Sequence, residues 1–375
     1  MTDLLVPTWP VQPYAVDGPD PGRRPTRRLT LLMPFRGESA ATFDRSARAV
    51  AALDYPPELL QVLWLVGDGP DGESDRRRAE RAMADAGADT TGIDWTLRRL
   101  PGMRPKGAAL NHAFPLADGE VIAVVDADVV PAPGQPAEAV RALELGFGLV
   151  QAHEISEPGT GLVARARAAE DAVWHASVRG LARAAGVHVV AGSSVYAWAA
   201  TWDLVRPVRS DDVEESYHWS LQLMDARVRT GFLPSPSLVS ATDRPLAALR
   251  QRARWSRGQL RAVRVNWSGM TARGRLLGAV TVGGLAVRAA LPALVVASAL
   301  SPRARRLTAG LLLADAVCVL GARRTPEYRE RTDAVGWALV VPWHLFGSGA
   351  VYLALWELLR GDRGWHSVRG DEEGV

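Results

Sequence analysis

The sequence predicts an α/β domain on a mainly parallel sheet with flanking helices, followed by a block of apolar helices. Three observations predict it. Short apolar runs alternate with helical patterns between residues 29 and 125. Glycine- and aspartate-rich turns close those runs, and from about residue 276 the composition becomes predominantly apolar.

Residues 29–34 (LTLLMP) read as a buried strand and 40–53 as a helix. A second apolar run, 62–66, is closed by the turn residues Gly67-Asp68-Gly69-Pro70. Segment 74–86 is helical in pattern with Ser74 as its N-cap, and 93–97 supplies a third strand. Segment 106–116 is helical again, and Asp118-Gly119 leads into VIAVV at 121–125. In such sheets ligands bind beyond the carboxyl ends of the strands. Segments 36–38, 67–71 and 126–128 each follow a strand directly, so they are expected together at one sheet edge.

The apolar block comprises 276–300, 307–321 and 334–359, interrupted by Arg288, Asp315, His344 and Glu357. A membrane span takes roughly 20 apolar residues. The third segment meets this best, the first apart from Arg288 and Pro292, and the middle one is short enough to be re-entrant or interfacial. Arginine-rich flanks and Trp337, Trp343 and Trp356 suit a membrane boundary, and a buried helical bundle is the other reading. These limits imply a proline-rich arm over 1–28, a main domain over 29–270, membrane-associated helices over 271–360 and a polar tail over 361–375. The arm lacks a basic start followed by an apolar run, so no cleaved signal peptide is expected. A multi-pass protein of the cell membrane with a cytoplasmic main domain is the expected arrangement.

Apolar content of 47% with both charge signs interspersed excludes global disorder. A net charge of +3 conceals arginine clusters at 23–28, 250–264, 303–306 and 323–331, which suit anionic lipid head groups. No helix-turn-helix, finger or aromatic RNA-binding signature accompanies them, so no nucleic-acid partner is expected. The single cysteine, Cys318, excludes an internal disulfide, and the seven histidines show no metal-ligand spacing.

Asp126 and Asp128 follow VIAVV two residues apart. On a strand end such side chains point the same way, and two hard oxygen donors there suit Mg²⁺ or Mn²⁺ bridging to substrate phosphates. Lys106-Gly107 at a helix start makes a site for an anion such as a diphosphate, or else a solvated lysine beside a small residue. Glu38 and Asp68 sit just past strands, where they can accept from a nucleobase or ribose or serve as ordinary loop acids. Gly192-Ser193-Ser194 lines an acceptor site or forms a turn. In the run 251–255, Arg254 offers a bidentate fork to phosphate and Trp255 a flat face to a sugar.

Together LTLLMPFRGE, VGDGPD, RPKGAALN, VVDADVV, VVAGSS and QRARW resemble the family 2 glycosyltransferases of GT-A fold, from about Leu29 to Gly258. The membrane-bound branch, with ceramide glucosyltransferase and the cellulose, chitin and hyaluronan synthases, is the most similar. The resemblance implies a UDP- or GDP-sugar donor contacted by Glu38, Asp68, Lys106 and Asp126, with the divalent metal on Asp128 and Asp126. It implies that Gln251, Arg254 and Trp255 shape the acceptor end and hold the diphosphate. It also implies inversion by direct displacement onto a lipid, lipid-linked or saccharide acceptor at the membrane, with a carboxylate base. That base is usually the second acid of a pair before a helix ending in Leu-x-Leu. Alignment on Leu221-Gln222-Leu223 puts Ser216 there, leaving Glu215, then Glu214, then Asp212 as candidates. A processive synthase with a partner membrane subunit, or a catalytically weak sugar-nucleotide binder, are the other readings.

Overall fold

The computed structural model describes residues 24–67, 72–100, 106–157, 159, 161–209, 214–240 and 243–360. They form two compact units. Among the described residues, the first comprises 24–154 with His188–Val239, and the second comprises Ile155–Val187 with 240–360. The expected tail at 361–375 and most of the arm lie outside the described residues, as do Asp68 and Asp212.

In the first unit the chain runs β1 (Leu29–Phe35), α1 (Ala40–Ala51), β2 (Leu60–Gly67), α2 (Gly72–Asp85), β3 (Asp94–Leu100), α3 (Lys106–Ala113), β4 (Val121–Val124), β5 (Val129–Pro131), α4 (Gln135–Glu144) and β6 (Leu149–Gln151). Through β7 (Glu154–Ser156) it enters α5 (Leu162–Ala185) of the second unit. It returns for β8 (Val195–Trp198), α6 (Ala199–Trp202), α7 (Glu215–Asp225), β9 (Thr230–Phe232) and β10 (Ser237–Val239). The main sheet has the order β3-β2-β1-β4-β8-β6-β9. β3, β2, β1 and β4 are parallel, with Leu29 opposite both Leu60 and Val121, whereas β8 is antiparallel to β4 and β6. β5 and β10 pair antiparallel in a second sheet.

The apolar runs are near-continuous because both sheet faces are covered. From β1, Leu31, Met33 and Phe35 pack with Phe43 and Val50 of α1, Ala79 of α2 and Leu143 of α4. Leu32 faces the other way, with Ala109 and Leu110 of α3, Trp202 of α6 and Trp219 of α7. Alternate side chains thus serve opposite cores, each large one stabilising the fold by about 1.5–3 kcal/mol. One local expectation fails. Ser74 lies inside α2, not at its cap, because Gly72 begins the helix against the Gly67 carbonyl, where a β-carbon has no room. VHVVA at 187–191 is irregular backbone, and β8 starts only at Val195.

The second unit adds α8 (Pro245–Asn266), α9 (Ala272–Ala297), α10 (Pro302–Arg323), α11 (Pro326–Arg331), α12 (Ala334–Phe346) and α13 (Ser348–Leu359) to α5. α5 packs on α12, and Gly336 permits this because a β-carbon there would stand 2.6 Å from the Arg165 carbonyl. Glu170 of α5 accepts from Arg252 Nε at 2.9 Å and from Trp343 Nε1 at 2.7 Å, tying α8 and α12 to α5. Among the described residues, two stretches are long and apolar enough to cross a membrane, Ala272–Ala297 and Ala334–Leu359. No residue of the most apolar 18-residue window of the first is buried, against 44% in the second. The expected segment 307–321 lies in α10, which does not qualify on composition.

Candidate active site

β1, β2 and β4 run parallel, so their carboxyl ends share one edge, and Arg36–Glu38, Gly67 and Asp126 emerge there together. After β1, Gly37 takes φ +64°, a left-handed conformation that glycine adopts without strain, and its N–H donates to buried Asp75 at 2.7 Å. Arg78 donates to the Glu38 carbonyl at 2.7 Å, so α2 holds the loop that displays half-buried Glu38.

Asp126 and Asp128 are not on a strand. β4 ends at Val124, and Val129 N–H donates to the Asp126 carbonyl at 3.0 Å, closing a turn. Strand pleating therefore does not set the directions of their side chains. Ala127 is buried, with its carbonyl accepting from Ser46, and the turn leaves the two flanking carboxylates half-buried at its rim.

Because β8 is antiparallel to β4, the beginning of β8 lies at the same edge as the end of β4, with Val124 opposite Val195. The bend Gly192-Ser193-Ser194 enters there, with positive φ at Gly192 (+89°) and Ser194 (+50°). Ser193 Oγ accepts from the Asp126 N–H at 2.8 Å, and the Gly192 carbonyl accepts from Lys106 Nζ at 2.8 Å.

Lys106 begins α3 and is the only lysine in the chain. Its Nζ also lies 2.6 Å from Asp126 Oδ1 and 3.3 Å from Glu215 Oε1. Gly107 lets the helix start approach the 208–209 backbone, since a β-carbon would stand 2.6 Å from the Arg209 carbonyl. Asn111 brackets Val208, donating to its carbonyl and accepting from its N–H, both at 2.7 Å. Burial disfavours the ammonium, but Asp126 and Glu215 outweigh it and raise the Lys106 pKa above the ordinary value. Burial also raises the Asp126 carboxyl; Lys106 opposes that shift and the neighbouring charge of Asp128 adds to it.

Glu215 is buried as the first residue of α7, and Glu214 occupies the N-cap position. Ser216 donates its hydroxyl to Glu214 Oε1 at 2.7 Å and packs against Gly192. Of the residues singled out from sequence, Lys106, Asp126 and Glu215 thus form one cluster, with Glu214 adjoining it through Ser216. Gln251, Arg254 and Trp255 stand on α8 of the second unit, where Arg167 donates to the side-chain Oε1 of Gln251. Sequence reasoning missed Asp75 and the Glu170–Arg252 pair, and it named Ser193 only as part of an acceptor-site lining or a turn. It assigned Lys106 to a diphosphate from its place at a helix start, without using the fact that it is the single lysine of the chain.

Among the described residues, no group of three or more His, Cys, Asp or Glu side chains is arranged to hold a metal ion. Asp126 and Asp128 offer two hard oxygen donors, which suits a Mg²⁺- or Mn²⁺-class ion that keeps waters and substrate phosphates as its other ligands. His188 is buried and pushed down to about 3 by that burial, so it stays neutral.

The profile described as Glycosyltransferase like family 2 matches residues 29–258, well over half of the chain. The chain belongs to this family. The enzyme is therefore a glycosyltransferase, and its fold agrees. The mannosyltransferase PcManGT from Pyrobaculum calidifontis, solved with GDP-Man and Mn²⁺, superposes with a TM-score of 0.58 at 20% identity. That alignment covers 94% of the transferase and 92% of PcManGT, so the GT-A α/β fold expected from sequence holds. S. aureus TarS gives a TM-score of 0.41 at 10% identity over 60% of the transferase and 39% of TarS, too distant to argue from. No curated protein sequence matches significantly.

Proposed function

We propose that the enzyme transfers a sugar from a UDP- or GDP-sugar to an acceptor hydroxyl, with inversion, at a membrane surface. The observation that carries this reading is the meeting of Lys106, Asp126 and Glu215 at the carboxyl edge of the sheet, in a family 2 chain. A lysine at a helix N-terminus is suited to the diphosphate. The same ammonium that now neutralises two carboxylates would neutralise the donor's phosphate oxygens. Glu38 and Asp68 are assigned to the nucleoside, and Gln251, Arg254 and Trp255 to the acceptor end and diphosphate.

Glu215 is the proposed base. It takes the proton of the acceptor hydroxyl, whose oxygen bonds to the anomeric carbon as the bond to the diphosphate oxygen breaks and its electron pair leaves with the nucleoside diphosphate. Its place beside Lys106 favours it over Glu214, whose carboxylate is engaged by Ser216. Asp126 and Asp128 would hold the divalent ion, in keeping with the Mn²⁺ and GDP-Man bound to PcManGT. Such an ion would supply charge neutralisation for the departing diphosphate. The unburied apolar window of α9 supports an acceptor presented at a membrane, either a lipid or a lipid-linked saccharide.

Purified enzyme in neutral detergent, given Mn²⁺ or Mg²⁺ and a panel of UDP- and GDP-sugars, should release one nucleoside diphosphate preferentially. Release should stop with a chelator. Failure to bind or turn over any donor of either class would reject the reading.

A further inference from the structure

The second unit contains a cavity of about 330 Å³ between α5, α10 and the start of α11. Its walls include Ser177, Arg179 and Arg183 of α5, Cys318 and Gly321 of α10, and the buried ring of Tyr328. Arg179 and Arg183 are four residues apart on one helix, hence neighbours on one face, where like charges repel. Among the described residues neither has an ion-pair partner, and Arg179 Nη1 is buried with no hydrogen-bond acceptor. Burial and the charge of Arg179 together lower the proton affinity of Arg183. A guanidinium nitrogen withdrawn from water without an acceptor is costly, and one anion between the two forks would relieve both the desolvation and the repulsion. A phosphate has enough oxygens to accept from two forks at once, whereas a carboxylate pairs best with one.

The wall supplied by α10 says what is attached to that phosphate. Leu307 and Leu311 of this helix stand eleven and seven residues before the lining residue Cys318, hence on the same face, and Leu307 is 52% exposed. An alkyl chain leaving the cavity would cover them. We propose that this cavity binds the phosphate group of an amphiphile, with Arg179 and Arg183 on the phosphate and the α10 surface under the alkyl chain.

Cys318 makes the test direct, because it is exposed, lines the cavity and is the only thiol in the chain. Its labelling by N-ethylmaleimide is followed by mass spectrometry on the full chain in neutral detergent. The additions are dihexanoylphosphatidic acid, dihexanoylglycerol or inorganic phosphate, each at the same concentration. Phosphatidic acid at about ten times its Kd should slow labelling about tenfold, since only the unliganded fraction reacts. Neither the diacylglycerol nor phosphate alone should do so, and the protection should vanish in the double variant Arg179→Gln, Arg183→Gln. Equal protection by inorganic phosphate would assign the cavity to a water-soluble phosphate ester and overturn the amphiphile. Equal protection by the diacylglycerol, protection that survives in the double variant, or none in the wild type would overturn the phosphate site. The wild-type arms decide the matter even if the variant folds poorly, and the readout needs no turnover.

Discussion

Replacing Lys106 with methionine keeps the apolar stem of the side chain and removes its charge. In the folded chain that charge stands 2.6 Å from Asp126 and 3.3 Å from Glu215. At an effective dielectric constant of about 20, these distances correspond to gross attractions of about 6 and about 5 kcal/mol. Desolvation cancels much of this, and removing one partner of a buried pair costs about 3–5 kcal/mol. For a unit of this size each kcal/mol is worth about 2–4 °C, so Lys106→Met should melt roughly 10 °C below wild type. Without the ammonium, Asp126 is left facing the charge of Glu215 and takes up a proton more readily. The deficit should therefore shrink as pH falls from about 8 to about 5. Losing the diphosphate contact, about 2.7 kcal/mol for a charge-assisted set, should lower kcat/KM about 100-fold in a nucleoside diphosphate release assay. Lysine-selective isotope labelling gives a single side-chain signal in this chain, and it should titrate above the ordinary 10.5. An unchanged Tm with titration at or below 10.5 would refute the ion-pair geometry, and an unchanged kcat/KM would refute the diphosphate role.

Glu215→Gln should lower kcat by about 10²–10⁴-fold, as loss of a general base does, and Glu214→Gln by less than about tenfold; the reverse ranking moves the base to Glu214. Asp126→Asn should abolish nucleoside diphosphate release and also lower Tm at pH 7, because it removes the carboxylate 2.6 Å from the Lys106 ammonium. In the second unit Glu170→Gln leaves Arg252 buried without its counter-charge and should cost about 3–5 kcal/mol in denaturant unfolding. Gly107→Ala forces a β-carbon to 2.6 Å from the Arg209 carbonyl and should cost about 1–3 kcal/mol by the same measurement.

The parallel core was legible because β1, β2 and β4 are covered on both faces and their apolar runs end abruptly at polar loops. Local pattern could not reveal that β8 runs antiparallel to β4, since that pairing joins residues more than 70 apart and depends on where the chain re-enters the sheet. Lys106 and the two aspartates could be named from sequence because helix starts and strand ends mark themselves. Their mutual contacts could not, because the Gly192 carbonyl and the Ser193 hydroxyl enter the cluster as backbone and as a common side chain. In the QRARW run, attention fell on Arg254 and Trp255. The arginine between them and Gln251, Arg252, turns out to be spent on Glu170, a partner that only tertiary structure supplies.

The bond from Lys106 to Gly192 spans 86 residues, and that from Asp126 to Ser193 spans 67. Between the two halves of the first unit the chain makes its excursion through Ile155–Val187. Contacts of such sequence separation close late, after local and near-neighbour structure has formed. During synthesis the strands β1 to β4 can assemble while the ammonium of Lys106 still lacks both its carbonyl and Glu215. The cluster of Lys106, Asp126 and Glu215 is thus one of the last parts of the first unit to come into being, and a nascent chain stopped before residue 192 would carry much of the sheet but lack Gly192, Ser193 and Glu215.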